Sequence, residues 1–244
     1  RTLTVDKAVI NINGFKLVET YNRTLLLEEV KPDVQLVGHG TNVPGSEGVP
    51  FPFKAVNLDR VDVKVFKIHR GNILQFFQRN DYDGSSYLSY VGETVHQQTV
   101  RLDTDPELNL RTWNRFALDL TGVIEDDPGA IYRVYLRFRP EYSLYQCDKP
   151  VIDENVPDDM VAATKLDKQK NDTELWDYYS NMKYGSYQKR KDPCEYSYYY
   201  YAGEVSRNIM VSDLGLIVKH SHKDESRLLV AVTDLNTASP KSAA

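Results

Sequence analysis

The sequence predicts an all-β protein, an antiparallel β-sandwich carrying a short helix and one long inserted loop. Three features lead there: period-two alternation over much of the chain, turn residues recurring every ten or so positions, and few stretches of helical period. Tyr132, Val134, Leu136 and Phe138 alternate with Arg133, Tyr135, Arg137 and Arg139, as in a strand with one buried face. The turn clusters are Asn13-Gly14, Asn42 to Pro52, Asp81 to Ser86 and Asp126 to Gly129.

In order, strands are expected over Arg23 to Val30, Val34 to Gly38, a run starting at Val61, Thr94 to Leu102, Phe116 to Leu120, the run around Val134, Asn208 to His220 and Arg227 to Leu235. In the Val61 run the alternation of Val61, Val63 and Val65 breaks at Phe66 and Ile68. Asn72 to Gln78 lacks alternation and reads as a two-turn helix capped by Asn72. Asp158 to Leu166 carries acids first and a lysine late, the order the helix dipole favours, and predicts a second short helix.

Composition bounds the function. The 244 residues allow one to two domains, and 30 basic against 35 acidic side chains give a net charge of −5. That balance argues against binding nucleic acid by counterion release. The hydrophobic fraction is 41%, with no apolar run of the roughly 18 residues a membrane-spanning helix needs. The chain opens on Arg1 and closes on Ser239-Pro240-Lys241 and small residues, which reads as a segment of a longer protein.

Beyond about residue 145 the composition turns polar and aromatic. Nine of the 17 tyrosines fall between Tyr178 and Tyr201. A disulfide from Cys147 to Cys194 would close a loop around this stretch, which has little apolar material of its own, and would imply an oxidising compartment. Two free thiols in a reducing compartment are the alternative. Tyr178, Tyr179, Tyr184, Tyr187, Tyr198 and Tyr200 form a candidate interaction surface, either a glycan platform or a protein contact. The plainer reading is that these rings cover the inserted loop.

No motif for catalysis is found, whether a Gly-x-Ser-x-Gly elbow, a phosphate-cradling loop or a His-Glu-x-x-His pair, so no catalytic residue, cofactor or metal is assigned. His220 and His222 share a strand face and lack evident further ligands. Asn80 to Ser85 resembles the start of a calcium loop, but Glu93 falls too late to be its closing ligand, and an ordinary Asp/Gly turn is the simpler reading.

Ser206 to Lys219 followed by Arg227 to Thr237 resembles the strand pair that opens a macroglobulin-like domain in bacterial alpha-2-macroglobulins. Phe53 to Ile68, continuing into Asn72 to Phe77, is similar to the strand and short helix of the preceding domain in the same proteins. The resemblance implies a macroglobulin-like, immunoglobulin-like β-sandwich with three divisions. Residues 1–32 would be the last hairpin of a preceding domain, 33–205 a sandwich with a disulfide-closed insertion at about 147–194, and 206–244 the first strands of the next domain. It further implies a non-catalytic part of a cell-envelope protease inhibitor, in the periplasm or envelope and membrane-anchored upstream. Its partners would be the other domains of the parent chain and, through the parent, proteases. The family's reactive Cys followed by Glu-Gln does not occur here, since Cys147 precedes Asp148-Lys149-Pro150 and Cys194 precedes Glu195-Tyr196-Ser197. The family's bait segment belongs to a later domain, so residues 147–194 are not assigned that role. The competing reading is a carbohydrate-binding or adhesive β-sandwich of a surface protein that uses the Tyr-rich segment.

Overall fold

The computed structural model describes residues 2–24, 29–45, 48–124, 127, 129–151, 186–202, 204–220 and 228–241. Residues 1–30 and 31–244 form separate compact units. The first is a hairpin of β1 (Thr2–Val5) and β2 (Tyr21–Thr24), paired antiparallel with Thr2 opposite Thr24. Its connection is tightened where Asn11 Oδ1 accepts from the amides of Asn13 and Phe15, and Gly14 supplies the positive φ that the turn requires.

The second unit is built around two facing sheets. A three-stranded sheet runs β3 (Asp33–Leu36), β5 (Pro50–Val56), β8 (Asn114–Asp119). A five-stranded sheet has the order β4 (Asn42–Val43), β10 (Glu204–Val211), β9 (Ile131–Arg137), β6 (Arg60–Ile68), β7 (Gly92–Arg101). All pairings in it are antiparallel except the short parallel contact of β10 with β4. Pro50 and Pro52 sit on the central strand of the smaller sheet, beyond the residues that pair with β3; the Pro52 carbonyl still accepts from the Val37 amide, so the missing N–H groups end that ladder rather than interrupt it.

Val34, Phe51, Phe53, Ala55 and Leu118 from one sheet pack against Val61, Val63, Val65, Tyr132, Val134, Leu136 and Ile209 from the other. Phe53 stacks on its cross-strand partner Phe116 at 5.5 Å between ring centroids. The alternation in β6 and β9 thus places the expected residues inside. Its break at Phe66 and Ile68 has a physical reason. These two side chains share the outer face, and helix α1 (Ile73–Phe77) covers that end of the sheet, so they join Ile131, Phe76 and Val91 in a second small core. Gly92 passes so close to Lys67 that a Cβ would collide with its carbonyl.

Asn72 stands at the N-cap of α1 but does not cap it; its Nδ2 donates to the Val91 carbonyl and ties the helix start to the approach to β7. The strand expected over Asn208 to His220 is interrupted at Ser212-Asp213. β10 ends at Val211 inside the sandwich, and β11 (Leu214–His220) pairs with β12 (Leu228–Asp234) in a separate hairpin. The boundary expected at residue 206 therefore falls within a strand whose residues 204–209 pair with β9. The helix expected over Asp158 to Leu166 lies outside the described residues. A helix that propensity does not favour, α2 (Tyr196–Ala202), forms within the tyrosine run. Among the described residues no helix is long and apolar enough to cross a membrane.

Candidate interaction surface and the disulfide-closed segment

Cys147 and Cys194 are joined, with their Cα atoms 5.5 Å apart. The bridge fastens the start of the excursion to a compact knot at its end. Asp192 Oδ1 accepts from the Cys194 amide, its carbonyl accepts from the Glu195 amide, and the Glu195 carbonyl accepts from the Tyr198 amide, leading directly into α2.

The helix delivers rings to the core rather than to solvent. Tyr198 is 7% exposed and its hydroxyl donates to the Pro32 carbonyl at 2.6 Å. Tyr199 is buried edge-to-face against Phe138 at 5.9 Å and donates to the Pro193 carbonyl. Burial raises the pKa of both phenols, Tyr199 to about 12, so both stay protonated donors. Tyr198 is therefore corrected from a surface residue to a core one, because a helix turns successive tyrosines to different sides and this one faces the sandwich. Tyr200 is half-buried and packs edge-to-face on Tyr201. Tyr187, 57% exposed, contacts Tyr201 at 5.7 Å and carries the Arg190 guanidinium over its ring. Tyr178, Tyr179 and Tyr184 lie outside the described residues.

Two buried polar networks, neither anticipated, hold the outer face of the larger sheet. In the first, Asp62 accepts from Arg139 Nε at 2.7 Å, from the Thr99 hydroxyl at 2.6 Å and from the Tyr142 hydroxyl at 2.9 Å. Burial, then the Asp62 charge, pushes the Tyr142 phenol well above its ordinary pKa and keeps it a donor. In the second, Arg133 donates to the Asn208 side chain, the Ser206 hydroxyl and the carbonyls of Asp83 and Gly84. Asn208 in turn donates to the carbonyls of Tyr82 and Gly84, and its amide to Asp83 Oδ1. The loop that resembles a calcium site thus turns its carbonyls onto a guanidinium and an amide of its own chain. Among the described residues no group of three or more His, Cys, Asp or Glu side chains converges. The one clue in the sequence is the arginine-rich outer face of β9.

Two facing β-sheets, a covering helix and a disulfide-closed excursion define an all-β sandwich domain. Within that class the curated and the structural comparisons point the same way, to the macroglobulin-like domains of bacterial alpha-2-macroglobulin. The alpha-2-macroglobulin of Escherichia coli strain K12 is 25% identical over 115 residues, 45% of this chain and 7% of that protein. The crystal structure of native alpha-2-macroglobulin from Escherichia coli spanning domains MG0-NIE-MG1 matches 98% of this chain and 57% of its own, with a TM-score of 0.55 at 15% identity. The cryo-EM reconstruction of the native conformation of that protein matches 98% of this chain and 11% of its own, with a TM-score of 0.53 at 16% identity. No family model matches the chain. The chain therefore spans a small part of the length of the curated relative.

Proposed function

We propose that this chain is a non-catalytic structural module of a bacterial alpha-2-macroglobulin-like protein that traps proteases in the periplasm or cell envelope. The observation that carries the reading is the β11–β12 hairpin. Leu216, Ile217, Val218, Leu229 and Val230 are all exposed, and because neighbours in a strand point to opposite sides, both of its faces are apolar. Two strands alone are marginal in water, and such a surface calls for further strands to cover it. The β1–β2 unit likewise exposes Ile12, Phe15 and Val18. In this reading residues 1–30 close a preceding domain, the sandwich through Val211 is a complete module, and residues from Leu214 open the next. The disulfide supports an oxidising compartment.

The test is trapping of trypsin by the full-length parent, read as a complex of shifted mobility, with residues 31–213 present or deleted. The 244-residue chain alone should leave trypsin turnover unchanged and form no adduct, and the deleted parent should lose the trap. Inhibition by the isolated chain, or undiminished trapping after the deletion, would overturn the proposal.

A further inference from the structure

An exposed aromatic surface of the second unit lies beside α1. Gln75, Gln78, Arg79, Ser86, Tyr87 and Tyr90 line a groove of about 260 Å³. Tyr87 and Tyr90 are 62% and 72% exposed, their ring centroids 6.1 Å apart and their planes tilted by 48°. The Arg79 guanidinium lies 5.4 Å from the Tyr87 ring centroid, so its donors border the groove.

This surface is held rigid from below. Asn80 Nδ2 donates to the carbonyls of Phe76 and Ser86, and Asn80 Oδ1 accepts from the Ser86 amide. The Arg133 and Asn208 network clamps residues 82–84 to the sheet beneath. Tyr87 itself adopts a left-handed conformation, φ 56° and ψ 33°, which is strained for a bulky residue. A strained, exposed ring set on a fixed loop is a local cost, and such costs collect at binding sites.

We propose that this groove binds a neutral hexose oligosaccharide. The flat, weakly polar faces of pyranose rings match two exposed tyrosine rings, while the amides of Gln75 and Gln78, the Ser86 hydroxyl and the Arg79 guanidinium supply donors and acceptors for sugar hydroxyls. An uncharged ligand fits a chain of net charge −5 with Asp81 and Asp83 on the same loop. The site is independent of the scaffold role proposed above.

The experiment is titration of the 244-residue chain with maltotetraose, cellotetraose and mannotetraose, followed by tyrosine fluorescence and amide chemical shifts. At least one tetraose should shift the resonances of residues 75–91 saturably. Arg79→Gln should weaken that binding about tenfold, and Tyr87→Gly or Tyr90→Ala should abolish it. Tyr87→Gly removes the ring while relieving the left-handed strain, so it should melt no lower than the parent chain. No binding by any of the three sugars, or binding that the two tyrosine variants leave unchanged, overturns the proposal.

Discussion

Arg139 Nε donates to Asp62 Oδ2 at 2.7 Å, with the carboxylate 1% exposed and the guanidinium 5% exposed. The same carboxylate accepts from Thr99 and Tyr142, so its charge is met by hydrogen bonds on both oxygens. Removing it takes a charged acceptor from a buried guanidinium and from two hydroxyls. Asp62→Ala should cost about 3–5 kcal/mol of stability in urea unfolding, and a loss under about 1 kcal/mol would show that the network contributes little.

Asn208 ties strand β10 to the loop above it. Asn208→Ala removes the donors to Tyr82 and Gly84 and leaves Arg133 without one acceptor. The expected loss is about 1–3 kcal/mol, accompanied by faster amide hydrogen exchange across residues 80–86. Unchanged exchange there would contradict the clamping role.

Tyr198 acts through its ring and its hydroxyl. Tyr198→Phe leaves the Pro32 carbonyl without its donor and should cost about 1–2 kcal/mol, whereas Tyr198→Ala empties core volume and should cost about 3–5 kcal/mol. Equal, negligible losses for the two variants would return this residue to the surface.

The Cys147–Cys194 bond restricts the unfolded chain over a separation of 47 residues. On the chain-entropy estimate, Cys147→Ser/Cys194→Ser lowers stability by about 4 kcal/mol. Reduction of the parent chain should lower its thermal midpoint in the same way, and the double variant should be insensitive to reductant.

Lys64 sits on the outer face of β6, over the Tyr135 ring and near Glu204 and Arg137. Burial is the main cause that lowers its pKa to about 8, with the Glu204 charge opposing and Arg137 adding to the shift. The unfolded lysine keeps its proton to about pH 10.4, so between about pH 8 and 10 the unfolded state binds more protons and stability rises with pH. The urea midpoint of the parent chain should climb over that window, and Lys64→Gln should flatten the climb. A parent profile already flat would show that the ammonium is not penalised in the fold.

Alternation alone identifies the inward faces of β6 and β9, because a residue's side of a strand is a local property, and Val63, Val65, Val134 and Leu136 are buried as their spacing requires. The cysteine pair was legible for a similar reason, since two cysteines flank a stretch with little to bury. Which residues lie beneath other elements was not legible. Asp62, Arg133 and Asn208 read as solvent-facing by period, yet each is covered by a loop or short helix from elsewhere in the chain. The tyrosines of 196–202 looked like a surface and form a helix that buries Tyr198 and Tyr199, while Tyr87 and Tyr90, in an ordinary-looking turn, are exposed. Strand faces follow from backbone geometry between adjacent residues; covering a face depends on contacts between segments far apart in sequence, which local pattern does not encode.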